Sequence, residues 1–200
     1  MSSSPTTDRI RMAAMKLFAE RGATTLPVSD LAQAAGVARG TIYNNLSEPE
    51  ALFDEVSVNL AEEMYARVTE LSVDVTDPAR RTALGMRLFI RRTHEEPQWA
   101  RFLLRFATQN LTLQNMLNSA PAADLEAGIA SGRFALSERH LPSAVGLISG
   151  TTLAAMETVL AGHLTWREAG SNAAYLALKA LGLPDAEAET IATEELPQKQ

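Results

Sequence analysis

Between Arg39 and Asn45 the chain reads Arg-Gly-Thr-Ile-Tyr-Asn-Asn, a run of short hydrogen-bonding side chains around one aliphatic residue. Guanidinium, hydroxyl and amide groups are the chemistry that reads base edges or holds phosphates in a duplex. On a helix, Ile42 and Leu46 stand four residues apart and anchor one side inward. Arg39, Thr41, Tyr43, Asn44 and Asn45 are then left on the outward side. A solvated helix face ordinarily carries Glu and Lys, and this one has neither. The alternative is a plain helical hairpin whose polar face meets water.

Two neighbouring elements must present that helix. Leu31, Ala34 and Ala35 form an apolar run that Gly36 ends, at a position requiring positive φ. Residues 29–46 thus read as two short helices around a tight turn, with Val37 pointing into the small core beneath. This is the arrangement that presses a second helix into the major groove of DNA. Upstream, Ile10, Ala13, Ala14, Leu17 and Phe18 recur at i, i+3, i+4, i+7 and i+8, one apolar stripe of a helix. Thr7 or Asp8 is expected to cap it and Gly22 to end it. Its opposite face carries Arg9, Arg11, Lys16 and Glu20. A three-helix unit of 47 residues is too small to hold together well alone.

Several spaced motifs agree in order with a known pattern. They are Ala13-Ala14 with Leu17-Phe18, Glu20-Arg21-Gly22, Val28 to Ala32, Ala35 to Tyr43, and Glu50 to Phe53. Together they resemble the N-terminal signature of the TetR family of bacterial repressors, over about the first 56 residues. The resemblance implies an all-α homodimer with an N-terminal helix-turn-helix domain and a larger ligand-binding and dimerisation domain. A bound effector would change the separation of the two heads and release the operator. It also implies DNA contacts at Ser29, Arg39, Gly40, Thr41, Tyr43, Asn44 and Asn45. Arg39 can pair bidentately with a guanine edge, and either asparagine with adenine or a phosphate. Gly40 would let backbone and duplex approach closely, Thr41 meet a thymine methyl or a phosphate, and Tyr43 reach phosphate. Ser29 would contact the backbone from the preceding helix. Three positions depart from the family: Ala38 in place of a capping serine, a loss of about 1 kcal/mol; Leu46 for phenylalanine; and Pro49 for a phosphate-binding lysine. Glu48 adds repulsion, so backbone contacts here are expected to be weaker, or supplied by another residue such as Arg9 or Arg11.

Charge is distributed unevenly along the 200 residues, whose net charge is −6. Residues 1–47 hold five basic and three acidic side chains; residues 48–200 hold 13 and 21. A mildly basic head on an acidic body fits a protein that touches DNA at one end. The expected division is a DNA-binding domain over 1–48, with a disordered arm over 1–7, and an effector-binding and dimerisation domain over 49–200. There is no cysteine, hence no disulfide or thiol chemistry. The N-terminus lacks the basic and apolar regions of a signal peptide, and Leu141 to Leu164 is too polar for a membrane span. A cytoplasmic protein without membrane contact is expected.

Beyond the head, helices are expected from Pro49, Pro78, Pro97, Leu111, Pro142, Trp166 and Pro184, the fourth bent at Pro121. The Pro142 helix interleaves Gly146, Ser149, Gly150 and Leu153 and is apolar around most of its circumference. The next is rich in small and apolar residues, among them Ala177 and Leu181. The resemblance implies that these two helices pair with their mates in a four-helix bundle; the alternative is the core of a monomer. A two-fold dimer would set its recognition helices one DNA turn apart on a palindromic operator. Met86, Phe89, Trp99, Phe102, Phe106 and Met116 suit an adaptable, largely apolar effector cavity, and equally suit a helical core. The seven arginines from Arg80 to Arg105 are expected on a solvated face, with an anionic ligand as the alternative. His94, His140 and His163 are scattered, so neither a metal nor a cofactor is expected. No nucleophile–base pair, phosphate loop or paired carboxylates argue for an enzyme. A helical enzyme, and a DNA-binding activator without effector release, stay open as other readings.

Overall fold

The computed structural model describes residues 4–46 and 48–197. Among the described residues there are ten α-helices and two short 3-10 turns, with no strand. They form two compact units. One runs to Glu62 and takes in Gln98–Leu113; the other comprises Glu63–Pro97 and the chain from Gln114 on. This division is not the one expected at residue 48, because the first unit also recruits residues 49–62 and 98–113.

The first unit starts with α1 (Pro5–Arg21), α2 (Val28–Ala35) and α3 (Arg39–Asn45). Of the arm expected over 1–7, residues 1–3 lie outside the described residues. The rest is not an arm: Ser4 Oγ accepts the Thr7 amide and Pro5 opens the helix. Serine and proline at those positions satisfy or remove orphan amides, so the helix begins a turn earlier than Thr7 or Asp8. Gly22, at φ 66°, ends it, and any side chain there would start 1.9 Å from Arg105 Nη2.

After a 3-10 turn at Pro49–Ala51 the chain enters α4 (Leu52–Ser72), which belongs to both units. The first unit's core is aromatic. Phe53 stands edge-on to Phe18, ring centroids 5.2 Å apart, and to Phe106 at 4.9 Å; Phe102 packs 5.1 Å from Phe106. Phe102, Phe106 and Trp99 all come from α6 (Pro97–Phe106) and are buried. This corrects their assignment to an effector cavity. Aromatic rings gain more by packing edge to face in this small unit than by lining a void.

The second unit is built around α5 (Pro78–Glu95), which packs against α8 (Leu141–Leu160) and α9 (Trp166–Ala180). The long α7 (Leu111–Ala130), with Pro121 inside it, and α10 (Asp185–Thr193) complete the unit. Asp77 caps α5 by accepting the Ala79 amide at 3.0 Å and also takes Arg133 in a fork, at 2.9 and 3.0 Å. That fork holds the Asp77 carboxyl below the usual carboxylate range. The stretch Glu138–Leu160 is long and apolar enough to cross a membrane by length and composition. Its Ala144, Ile148, Thr152 and Met156, on one face, are buried within the unit, while most of the stretch is not.

The arginines of α5 are not all on a solvated face. Arg92 is buried, with Nη2 on Glu63 at 2.8 Å and Glu96 at 3.1 Å, and Arg87 is buried as well. Guanidinium stems are long enough to cross an apolar layer before the head finds a partner, which binary pattern alone does not register.

Candidate nucleic-acid interface and effector cavity

Helices α2 and α3 are joined by Gly36 in the left-handed conformation, φ 63°. The Val37 amide donates to the Ala32 carbonyl at 3.0 Å, closing α2 with its orphan carbonyls satisfied. Ile42 and Leu46 are buried beneath α3, as their spacing requires. On its outer side Tyr43 is 62% exposed, and Arg39, Gly40 and Asn44 are exposed beside it. Ala38 supplies no side-chain cap. An ideal Cβ on Gly40 would meet nothing within 4 Å, so nothing in the chain itself demands a glycine there.

Two of the expected DNA contacts are committed elsewhere. Asn45 donates from Nδ2 to the Thr41 carbonyl at 2.8 Å and accepts the Thr7 hydroxyl at 3.1 Å. It therefore ties the end of α3 to the start of α1, with one N–H and one lone pair of its amide already used. The Ser29 hydroxyl donates to Asp30 at 3.1 Å, while Arg21 binds the other oxygen of that carboxylate at 2.6 Å. Arg21, and secondly Ser29, hold the Asp30 carboxyl below its usual range. The Ser29 hydroxyl is thus engaged within its own helix. The Thr7–Asn45 tie joins residues 38 apart, and no local pattern marks it.

The basic residues of the head divide likewise. Arg21 is paired with Asp30, and Arg11 and Lys16 each lie 3.9 Å from an acid on their own helix. Arg9 and Arg39 are exposed with no acidic partner within 4 Å among the described residues. They are the charges that a polyanion would meet unneutralised.

Three residues of the expected effector set share a cavity in the second unit. Met86 and Phe89 from α5 and Met116 from α7 line a narrow slot of about 50 Å³. It adjoins a wider recess of about 540 Å³ that shares Phe89, Met116 and Arg81. Arg81 Nε donates to Asp124 Oδ1 at 2.6 Å at the slot wall. Burial pushes the Asp124 carboxyl up, and Arg81 works against that shift. This polar pair is absent from the expected set; Asp124, directly after the small-residue run Ala120 to Ala123 of α7, was its sequence signal. Among the described residues, no group of three or more His, Cys, Asp or Glu could hold a metal.

The residues expected at a dimer interface split by burial. Gly146 and Gly150 are exposed and Leu153 is half-buried. Ser149 is buried instead, its hydroxyl shared between the Leu117 carbonyl at 3.1 Å and Asn118 Oδ1 at 2.8 Å. Ala177 and Leu181 are also interior. These three offer no surface to a partner, because they are buried within the unit. On the same two helices Leu147 and Leu176 are the large apolar side chains left exposed, Leu176 at 61%.

Comparison with known proteins bears on both units. Residues 10–56 match a family model described as bacterial regulatory proteins, tetR family, and residues 77–194 match one described as tetracyclin repressor-like, C-terminal domain. The HTH-type transcriptional repressor KstR2 of Rhodococcus jostii is 33% identical over 58 residues, which is 29% of this chain and 28% of that protein. The KstR2 of Mycolicibacterium smegmatis is 27% identical over 92 residues, 46% of this chain and 45% of that protein. The chain thus spans less than half the length of these curated relatives. The crystal structure of RolR in complex with its ligand resorcinol superimposes with a TM-score of 0.69 at 26% identity, covering 96% of this chain and 95% of that one. The fatty acid degradation regulator FadR from Bacillus halodurans shares the fold, with a TM-score of 0.72 at 20% identity over 89% of this chain and 97% of that one.

Proposed function

The chain belongs to the TetR family of bacterial transcriptional regulators, and from that membership we propose that it is a homodimeric repressor released from a palindromic operator by a small molecule. The observation that carries this reading is the outer side of α3. Arg39, Gly40, Tyr43 and Asn44 stand exposed over buried Ile42, with no acidic side chain among them. Together with half-buried Thr41, these form the contact set: Arg39 and Asn44 for base edges, Tyr43 for phosphate, Gly40 for close backbone approach. Asn45 acts as the strut that sets the angle of α3. Footprinting of the purified protein on DNA flanking its own gene tests the reading. A protected two-fold site with steep salt dependence is expected. Arg39→Ala and Tyr43→Phe should weaken its binding without unfolding the protein. If both bind as the parent does, the contact surface lies elsewhere.

The effector is a small, largely apolar molecule bearing a hydroxyl. Met86, Phe89 and Met116 would hold its ring or chain, and the Asp124 oxygen not engaged by Arg81 would accept its hydroxyl proton. Resorcinol, the ligand of RolR, has this chemistry, which makes phenols the first class to screen for release of the DNA complex. Asp124→Asn should abolish the response to a phenol while leaving operator binding intact. A partner subunit would cover Leu147, Leu176, Gly146 and Gly150 on α8 and α9. An activator that keeps its DNA when ligand binds would show no release with any effector that binds.

A further inference from the structure

Elsewhere in the second unit a glycine has a plain structural reason. Gly132, Gly162 and Gly182 stand at positive φ. Gly128 and Gly170 make room for neighbours: an added Cβ would start 2.1 Å from the Phe134 ring in one case and 3.4 Å from Arg87 Cγ in the other. Gly85 has neither reason. Its φ is not positive, and a Cβ there would meet nothing within 4 Å. It lies in the middle of α5, where glycine costs a helix more than any residue except proline. Thr82 to Leu84 before it and Met86 to Ile90 after it are all buried, while Gly85 itself is half-buried.

The open space beside it is the narrow slot. Arg81, Gly85 and Phe89 recur every four residues, so they share one stripe of α5, and all three line the slot. One end of the stripe carries a polar pair, Arg81 with Asp124 at 2.6 Å; the other carries an aromatic ring. Between them the missing side chain leaves helix backbone bare to the slot. Close approach of a ligand to backbone is a further use of glycine. The slot measures about 50 Å³, whereas a cavity that takes up benzene whole measures about 150 Å³. A ring therefore enters edge first, with its remainder in the adjoining recess of about 540 Å³.

We propose that Gly85 sets the specificity of the effector cavity: its bare backbone admits the edge of a flat aromatic ring, brings the ring's hydroxyl to Asp124, and turns away a puckered ring. The inference rests on the phenol reading above for the hydroxyl and on Gly85 for the shape. A methyl at residue 85 would project into the slot where the ring edge lies.

Calorimetry and thermal melting of the full chain and of Gly85→Ala, with phenol, cyclohexanol and toluene as probes, test the assignment. Without ligand the variant should melt roughly 2–4 °C above the parent, because alanine favours the helix and meets no neighbour. The parent should bind phenol saturably, and Gly85→Ala should bind it about tenfold or more weakly, the effect of a methyl forced into a filled site. Cyclohexanol, whose hydroxyl sits on a thicker, puckered ring, should bind the parent about tenfold or more weakly than phenol does. Toluene has the flat ring without the hydroxyl and separates this proposal from the reading it rests on. If the parent binds toluene as well as phenol and Gly85→Ala weakens both, the role of Asp124 fails and that of Gly85 is supported. The proposal is overturned by undiminished phenol binding in Gly85→Ala, by cyclohexanol binding as tightly as phenol, by a variant that melts below the parent, or by a parent that binds neither phenol nor toluene.

Discussion

Gly40→Ala separates what α3 needs for itself from what it needs for DNA. Glycine is the least favourable residue in a helix short of proline, so alanine at this first-turn position gains up to about 1 kcal/mol. Nothing lies within 4 Å of the added Cβ, so no packing penalty offsets the gain. For a small helical unit that corresponds to a rise in melting temperature of roughly 2–8 °C. In the DNA complex the same methyl occupies the space through which the backbone would approach the duplex. Forcing an extra methyl into a close-packed contact costs roughly 1–3 kcal/mol. Two heads on one operator would about double that, a loss of about thirtyfold to more than ten-thousandfold in affinity. Circular dichroism melting and fluorescence anisotropy on the footprinted operator read the two effects on one sample. A variant that melts higher and binds worse supports close backbone approach at Gly40. A variant that binds as tightly as the parent refutes it, and one that melts lower refutes the open environment around this residue.

Other outcomes follow from named contacts. Asn45→Ala removes two hydrogen bonds and should lower stability by about 1–2 kcal/mol; in a double-mutant cycle with Thr7→Ala the two losses should be less than additive, and full additivity would dissolve the tie between α1 and α3. Asp77→Asn should cost about 1 kcal/mol, given its cap and its partly exposed ion pair. Because the folded Asp77 carboxyl is held below its unfolded value by Arg133, its contribution is complete above the ordinary carboxylate range. It is lost as pH falls through the depressed value. Urea unfolding at pH 6 and pH 3 should therefore show a wider gap between parent and variant at the higher pH than at the lower; an equal gap at both assigns the effect elsewhere. Leu176→Glu should convert a dimer to a monomer in sedimentation analysis with its helical signal unchanged, and an intact dimer would move the interface off α9.

Local pattern was enough to place the helices and the reading head. The glycine at 36, the 3.6-residue apolar period and the prolines at 78, 97 and 142 act within a turn or two of chain, and the structure has helices where they predict them. The head's outward side was legible too, because Ile42 and Leu46 dictate by spacing alone which residues face away from the core. The same patterns do not distinguish an aromatic that lines a cavity from one that fills a core. Phe102 and Met86 occupy equivalent apolar faces, yet one packs edge-on among phenylalanines and the other borders the slot.

What sequence by itself determined, then, is everything governed by neighbours along the chain: helix limits, the turn, and the side of α3 left for a partner. Tertiary structure decided which polar side chains are already occupied. Asn45 is taken by Thr7 and Ser149 by Leu117, while Asp124 meets Arg81. The reason is range. Helix propensity and capping depend on residues a few positions apart, whereas a hydroxyl or guanidinium finds its partner only when distant segments pack within about 3 Å of each other.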